Sequence, residues 1–341
     1  MVPKATPQAI KSIARRATLK PDSKLNILTF CTHERYEQNL CRTGHTFYSL
    51  KHGKTWNTDY GDIPENYHEI PQIPFGIQPD LILSHTSCER LGVAKQIQSL
   101  FNIPILRHTH VLPDIRFDLS GQVQGFNAVN VEKNTFISRH NMLSWGCNEY
   151  SSTVIEHGID HDFWANGDDP ERRPVCLSVV NEWPTRDWCC GWNLWQEVVG
   201  FVDISNTSLP VKVLGSNPGI SEAAPNINEL RKAYQSSLIF LNTSIHSPVP
   251  TALMEAMASG CAIVSTNNCM IPEIIQHGHN GLLGNNAAEL KSYCQDLIND
   301  PDKAIQLGKN AQETIKEKYS LSRFVSSWNS CFSDLITNYR I

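Results

Sequence analysis

Short apolar runs recur along the chain and alternate with longer stretches in which apolar and polar positions mix, the pattern of strands following helices. In the first half, Leu25–Phe30 reads as a strand, Thr32–Leu40 as a helix and His45–Leu50 as a second strand. The Pro- and Gly-rich stretch from Tyr60 to Pro79 reads as a long loop. A β-α-β pattern follows: Leu81–Leu83, the helical stretch Glu89–Phe101 and the strand Ile103–Leu106. The second half repeats the rhythm with strands at Val175–Val180, Val211–Leu214, Leu238–Leu241 and Cys261–Ser265. Helices are expected at Gly191–Phe201, Ile227–Ser236, Pro250–Ala258, from Ile271, at Ala287–Asn299 and at Pro301–Tyr319. Such alternation predicts an α/β protein of parallel sheets, with ligands at the carboxyl ends of the strands.

A length of 341 residues exceeds one ordinary core and suits two domains of roughly 150–180 residues. The Pro-, Gly- and Asp-rich stretch Asp160–Pro174, with Gly167, Asp168, Asp169 and Pro170, is the expected linker. The domains are accordingly placed at 1–162 and 163–320. No apolar run approaches the roughly 20 residues of a membrane span, and the N-terminus lacks the apolar core of a signal peptide, so a cytoplasmic location is expected.

Eleven cysteines are scattered without a Cys-x-x-Cys pair, which supports neither a zinc ribbon nor a thioredoxin-like site. The adjacent Cys189 and Cys190 read as reduced small hydrophobes, with redox activity as the alternative. A net charge of −5 gives no global attraction to nucleic acid or anionic membrane. The N-terminus is locally basic: Lys4, Lys11, Arg15, Arg16, Lys20 and Lys24 face one acid, Asp22, beside a possible apolar stripe of Ala9, Ile10, Ile13 and Ala14. It offers a peripheral contact, or is simply a solvated helix. No Gly-x-Gly-x-x-Gly follows a strand, which argues against a dinucleotide enzyme.

Chemistry concentrates in Leu241–Glu273, LNTSIHSPVPTALMEAMASGCAIVSTNNCMIPE. Pro250 suits a first helical turn, and the amides of Thr251, Ala252 and Leu253 would then point from a helix tip that favours an anion such as diphosphate. Glu255 lies one turn in, on a helix otherwise apolar. Ribose hydroxyls would supply the partners its carboxylate needs; a solvent-facing Glu is the alternative.

This segment resembles the nucleotide-sugar-binding region of GT-B-fold glycosyltransferases, specifically the retaining family called family 4 or group 1. The family's second motif Glu matches Glu255 in LMEAMASG, and the resemblance continues through Ala262–Thr266, Pro272-Glu273, Gly278 and Asn280-Gly281. Val154–Phe163 looks like the family's loop entering the C-terminal domain, and Gly215 like the glycine before the base-binding region. The match is strong over about half the chain and weak over the N-terminal half.

The resemblance implies two Rossmann-like, doubly wound domains facing across a cleft, with the segment 321–341 returning to the first. It implies transfer of a hexosyl or pentosyl group from a UDP- or GDP-sugar to a hydroxyl, with retention and without cofactor or essential metal. Glu255 would hold the ribose, and Gly215, Ser247, Val249, Thr251, Ala252 and Leu253 would line the donor site. His110 matches the histidine that approaches the donor sugar, with His108 as its rival. Three departures stand out: Ser247 replaces the family's first Glu, Pro248 replaces a Gly, and the Gly-Arg…Lys-Gly signature is missing. In its region Arg186 is the one cation suited to diphosphate, or else it pairs with Asp187 or Glu182.

His33, Glu34, Arg35 and Tyr36 after the first strand are the candidate acceptor contacts, with a helix cap as the plainer reading. The acceptor class stays open among glycan, lipid, small molecule and, ranked last, modified nucleic acid. Asp160-His161-Asp162 and Asp300-Pro301-Asp302 imitate a metal-binding Asp-x-Asp but fall in a loop and an inter-helix turn. A non-catalytic nucleotide-sugar-binding protein, or an epimerase or phosphorylase on the same fold, are the competing readings.

Overall fold

Strands buried on both faces are written as nearly unbroken apolar runs, and the two central strands of this chain follow that rule. Leu81–His85 and Ser237–Asn242 are buried at every position. They belong to two units: Met1–His157 with Ser322–Ile341, and Gly158–Leu321. The computed structural model describes residues 6–51, 55–85, 88–165 and 171–339. Lys4 of the basic segment and Gly167, Asp168, Asp169 and Pro170 of the expected linker lie outside them.

In the first unit, α1 (Pro7–Arg16), β1 (Asn26–Thr29), α2 (Glu34–Cys41), β2 (Thr46–Leu50), β3 (Tyr67–Ile70), β4 (Leu81–His85), α3 (Cys88–Phe101) and β5 (Ile105–Thr109) come first. Next are α4 (Leu119–Ala128), β6 (Lys133–Phe136), α5 (Arg139–Ser144) and β7 (Ser152–Val154). The strands form a parallel seven-stranded sheet in the order β3-β2-β1-β4-β5-β6-β7.

The strand β3 falls inside the stretch expected to be a loop. Its four residues, Tyr67-His-Glu-Ile70, are buried only at the two ends and show no alternation that would register as a strand by pattern, and pairing with β2 at the sheet edge makes them one. In α1 the buried positions are Ala9 and Ser12, while Ile10 of the expected apolar stripe is 58% exposed.

The second unit comprises α6 (His161–Trp164), β8 (Arg173–Val179), α7 (Asp187–Cys190), α8 (Trp192–Val199), β9 (Val211–Leu214), α9 (Ile227–Ser236) and β10 (Ser237–Asn242). It continues with α10 (Thr251–Ala258), β11 (Ala262–Thr266), α11 (Ile271–Ile274), β12 (Leu282–Gly284), α12 (Ala287–Asn299) and α13 (Pro301–Lys318). Its parallel five-stranded sheet runs β12-β11-β10-β8-β9. Side-chain caps start its helices: Asn226 accepts from the amides of Asn228 and Glu229, Asn286 from Glu289 and Asp300 from Lys303. Asp160 likewise caps α6 through the Phe163 amide, so both Asp-x-Asp look-alikes begin with a helix cap. Trp183, Trp192 and Trp195 fill the core on one side of this sheet.

The closing helix α14 (Leu321–Asn338) belongs to the first unit. It buries Phe324, Trp328 and Phe332, which meet Tyr36, His108 and His45 in edge-on ring contacts. Among the described residues, no helix is long and apolar enough to cross a membrane.

Candidate functional site

In the second unit the helix α10 is buried at every position from Leu253 to Ala258, the acid included. Glu255 is 2% exposed, so it does not face solvent. Its Oε2 accepts the phenolic O–H of Tyr234 on α9 at 3.2 Å, and Tyr234 is itself fully buried. Arg172 ties the surrounding ends together: its guanidinium donates to the carbonyls of Tyr234, Ser237 and Ser259, at the ends of α9, β10 and α10. The helix begins after Pro250, whose carbonyl accepts from the Leu253 amide at 3.0 Å. Of the three amides expected to be free, that of Leu253 is therefore engaged in a tight turn. Those of Thr251 and Ala252 precede the first intrahelical bond and stay at the positive tip.

The loop leading to this tip is anchored from two sides. The amides of Ile245 and His246 both donate to the Cys189 carbonyl, at 2.9 and 3.1 Å, and Thr243 Oγ1 donates to the Gly191 carbonyl at 2.9 Å. On the other side the Ser244 carbonyl accepts from Thr266 Oγ1 and Asn268 Nδ2. Gly191 has φ +66°, and a Cβ there would overlap the Thr243 carbonyl oxygen, so a glycine is needed for this approach. Ser247 and Pro248 are left half-buried and Val249 is buried.

Gly215, with φ +128°, ends β9 against the Val180 carbonyl, where any side chain would collide. Arg186 is exposed, and its guanidinium makes a long bond to the Asn181 carbonyl at 3.4 Å. Neither expected carboxylate pairs with it: Asp187 accepts instead from the backbone and side-chain nitrogens of Asn193. The sulfurs of Cys189 and Cys190 lie 3.5 Å apart and unbonded, and both residues are buried. The thiol of Cys190 is pushed up by its hydrogen bond with Cys189 and by burial, which suits the reading as reduced hydrophobes.

In the first unit, parallel registry sets three strand ends side by side. His85 pairs with His108 across β4 and β5, and His108 with Thr135 across β5 and β6. The Tyr36 O–H lies 2.7 Å from His108 Nε2, and His108 Nδ1 lies 2.8 Å from Thr135 Oγ1. His110, one residue past β5, has its Nε2 2.8 Å from His85 Nδ1. The far nitrogen of His85 lies 3.3 Å from Glu37 Oε1 without a hydrogen bond between them, and that oxygen accepts from the Thr32 hydroxyl. The Tyr36 ring sits among His85, His108, His110, His157 and Phe324, at centroid distances of 4.7–6.3 Å.

Burial lowers the affinity of His108, His110 and His157 for protons. His108 and His110 are held well below the usual histidine range by burial first and by neighbouring histidines second. His157 is pushed down to about 4 by burial, with help from His33 and Arg323. Burial drives the Tyr36 phenol well up, so it stays a hydrogen-bond donor.

The structure thus distinguishes the two rival histidines. His108 is fully buried with both ring nitrogens engaged, whereas His110 is partly exposed with one nitrogen on His85. Two of the four expected acceptor contacts turn inward: Tyr36 enters the ring cluster, and Glu34 is buried with Oε1 accepting the Asn57 amide. His33 is exposed and Arg35 half-buried. Sequence reasoning passed over His85, Thr135, His157 and Tyr234, and took Glu37 only as the last residue of the cluster HERYE. His85 carried a usable signal, since it ends the run LILSH and His108 stands one residue before the end of the next strand. Glu37 and Tyr234 are brought in by helix packing and Thr135 by strand pairing, neither of which local pattern shows.

Residues 222–314, from the loop between β9 and α9 through most of α13, match the family described as glycosyl transferases group 1. An uncharacterized glycosyltransferase of Haemophilus influenzae is 30% identical over 108 residues, which make up 30% of either chain. The chain therefore matches about a third of the length of such curated relatives. Among solved structures, Anabaena HepE in complex with UDP-glucose shares the fold with a TM-score of 0.68 at 15% identity, covering 91% of this chain and 100% of that one. The sucrose-phosphate synthase of Thermosynechococcus elongatus does so with a TM-score of 0.69 at 14% identity, over 92% and 100% of the two chains. Over residues 222–314 the chain thus resembles the group 1 glycosyl transferases, and as a whole it shares its fold with these two solved structures.

Proposed function

We propose that this protein transfers a sugar from a nucleotide-diphosphate sugar, UDP- or GDP-linked, to a hydroxyl acceptor. The observation that carries the reading is Glu255: a carboxyl buried one turn behind a helix tip, inside the matched segment. A carboxylate so placed accepts the paired hydroxyls of a ribose, while the amides of Thr251 and Ala252 receive phosphate oxygens. The UDP-glucose held by Anabaena HepE supports a uridine donor.

Departure of a nucleoside diphosphate requires neutralisation of its charge as the glycosidic bond breaks. The tip of α10 and the exposed guanidinium of Arg186 supply positive potential without a metal, and we read the transfer as metal-independent, retaining and cytoplasmic. His110 offers a ring nitrogen to a sugar hydroxyl. Ser247, standing where the family has its first Glu, favours one second reading, a protein that binds the nucleotide-sugar without turning it over.

The test is incubation with UDP-, GDP- and ADP-sugars over a panel of glycan, lipid and small-molecule acceptors, with and without EDTA, following released nucleoside diphosphate. Release that depends on acceptor and persists in EDTA is expected. Binding of a nucleotide-sugar with no release over the whole panel would establish the second reading instead, and no binding of any of them would remove both.

A further inference from the structure

The first unit holds a line of three polar side chains whose inner members are far from any surface. Glu37 is fully buried and His85 is 1% exposed, yet together they lead outward to His110, the partly exposed member. Glu37 Oε1 lies 3.3 Å from His85 Nε2, and His85 Nδ1 lies 2.8 Å from His110 Nε2. Burying a carboxyl and an imidazole is costly unless each is satisfied by the other. Here the cost sits behind a ring that faces outward.

From this geometry we infer that Glu37 and His85 are positioning residues that fix the orientation and proton placement of His110, leaving its Nδ1 as a lone pair for a substrate hydroxyl.

The hydrogen-bond directions follow from one end. Glu37 Oε1, which accepts from Thr32, lies 3.3 Å from His85 Nε2 but out of line for a hydrogen bond, so the carboxylate acts on that nitrogen through its charge, which favours the proton on the near side of the ring. The His85 ring then presents a lone pair at Nδ1, and His110 donates its Nε2–H to it. His110 Nδ1 is left without a hydrogen and, among the described residues, without a protein partner. The choice between the two imidazole nitrogens is set by what the other nitrogen is bonded to.

A second, parallel line isolates this one from the neighbouring ring. His108 accepts from Tyr36 at Nε2 and donates from Nδ1 to Thr135, whose own hydroxyl proton points to the Arg107 carbonyl. His108 therefore does not compete for His85. The titratable groups facing His110 are His85, His108, His157, His33 and Tyr36, and burial with these rings keeps His110 neutral. A neutral ring with a defined lone pair accepts a hydrogen bond and holds a hydroxyl in one direction, which is what positioning a reacting sugar needs.

The inference rests on the proposed glycosyl transfer for its functional part but not for its structural part, and its test separates the two. Protein labelled with 15N in histidine, with the His110 signals assigned by His110→Gln, should show Nε2 protonated and Nδ1 bare near neutral pH. His85→Leu should scramble that pattern, whereas His85→Asn, which restores an acceptor oxygen close to the place of Nδ1, should preserve it. With a nucleotide-sugar that the wild type turns over, His85→Leu and Glu37→Gln should lower kcat about tenfold or more with little change in KM, and His85→Asn should recover most of it. A His110 protonated on Nδ1, or an unchanged pattern and unchanged kcat in His85→Leu, overturns the inference. If the wild type turns over no nucleotide-sugar, the proposed function fails while the 15N pattern still decides the proton placement.

Discussion

Tyr234 donates its phenolic O–H to Oε2 of Glu255 across 3.2 Å, and neither residue is open to solvent. The contact joins the last turn of α9 to the middle of α10, and it holds the acid in one orientation before any ligand arrives. A carboxyl on a helix of Ala, Leu and Met would otherwise be free to take several rotamers, and ordering it on binding would reduce affinity. The phenol also leaves acceptor capacity on the carboxylate, whose two oxygens offer about four lone-pair sites.

Tyr234→Phe removes that donor while keeping the ring packed against Trp164 and Phe240. Loss of a bond to a buried charged group costs about 1.5–3 kcal/mol. The urea midpoint of the 158–321 unit should fall accordingly, and affinity for UDP measured by calorimetry should drop with it. An unchanged midpoint and unchanged affinity would show that the phenol is a bystander.

Glu255→Ala should weaken nucleotide-sugar binding far more than it weakens the fold. Two ribose hydroxyls bonded to a charged acceptor contribute about 1.5–3 kcal/mol each, and about 1.4 kcal/mol is a tenfold change in Kd. A loss of at least about tenfold is expected by titration calorimetry with UDP or GDP. Glu255→Gln, which keeps one acceptor oxygen, should fall between the two. Affinity within error of wild type in the alanine variant contradicts the assignment of the ribose site.

The elements of the second unit were mostly legible because its helices carry explicit stops and caps. Asn226, Asn286 and Asp300 each mark a helix start, and Gly260, with φ +78°, marks the end of α10. Glu255 was legible as an acid misplaced in an apolar helix. The partner that makes its burial tolerable was not, because Tyr234 lies 21 residues away on another helix. The same limit hid the histidine cluster. His108 and His110 stood out singly, but parallel registry between β4 and β5 brings in His85, and the Tyr36 ring is turned inward by packing against Phe324 of the closing helix. The lack of alternation hid β3, where pairing rather than pattern makes the strand.

Acid should destabilise the first unit before it touches the second. Folded His157 titrates near 4, against about 6.5 in an unfolded chain. Between those values the unfolded state binds more protons, so stability rises with pH across the window and is lost as pH falls from about 6.5 toward 4. The depressed values of His108 and His110 act in the same direction. Urea midpoints of the first unit, followed by a probe near Trp328, should drop steeply between pH 6.5 and 4.5, and less so in His157→Gln. A midpoint flat across that range contradicts neutral burial of these rings.

The basic N-terminal helix invites the expectation of an electrostatic contact, yet its two arginines are committed to the fold. Arg15 grips Asp80 with two nitrogens, Nε to Oδ1 at 2.7 Å and Nη2 to Oδ2 at 2.9 Å, and the amide of Asn26 donates to the same carboxyl at 2.7 Å. Asp80 is 1% exposed, so this pair locks α1 against the start of β1 and the residue before β4. Arg16 donates to the Asn102 carbonyl and lies over the Tyr339 ring at the end of the closing helix. Removing one member of a buried pair strands the other, whereas removing both need not, and that difference is measurable. Arg15→Met should therefore cost about 3 kcal/mol in unfolding free energy, while the double variant Arg15→Met with Asp80→Asn should recover a large part of it. Because the carboxylate is shielded from solvent, the loss should change little between low salt and about 0.5 M salt, where the screening length is only a few ångströms. A loss that vanishes in salt, or a double variant no more stable than Arg15→Met alone, would mean that Arg15 acts as a surface charge and that the helix is free to serve a partner.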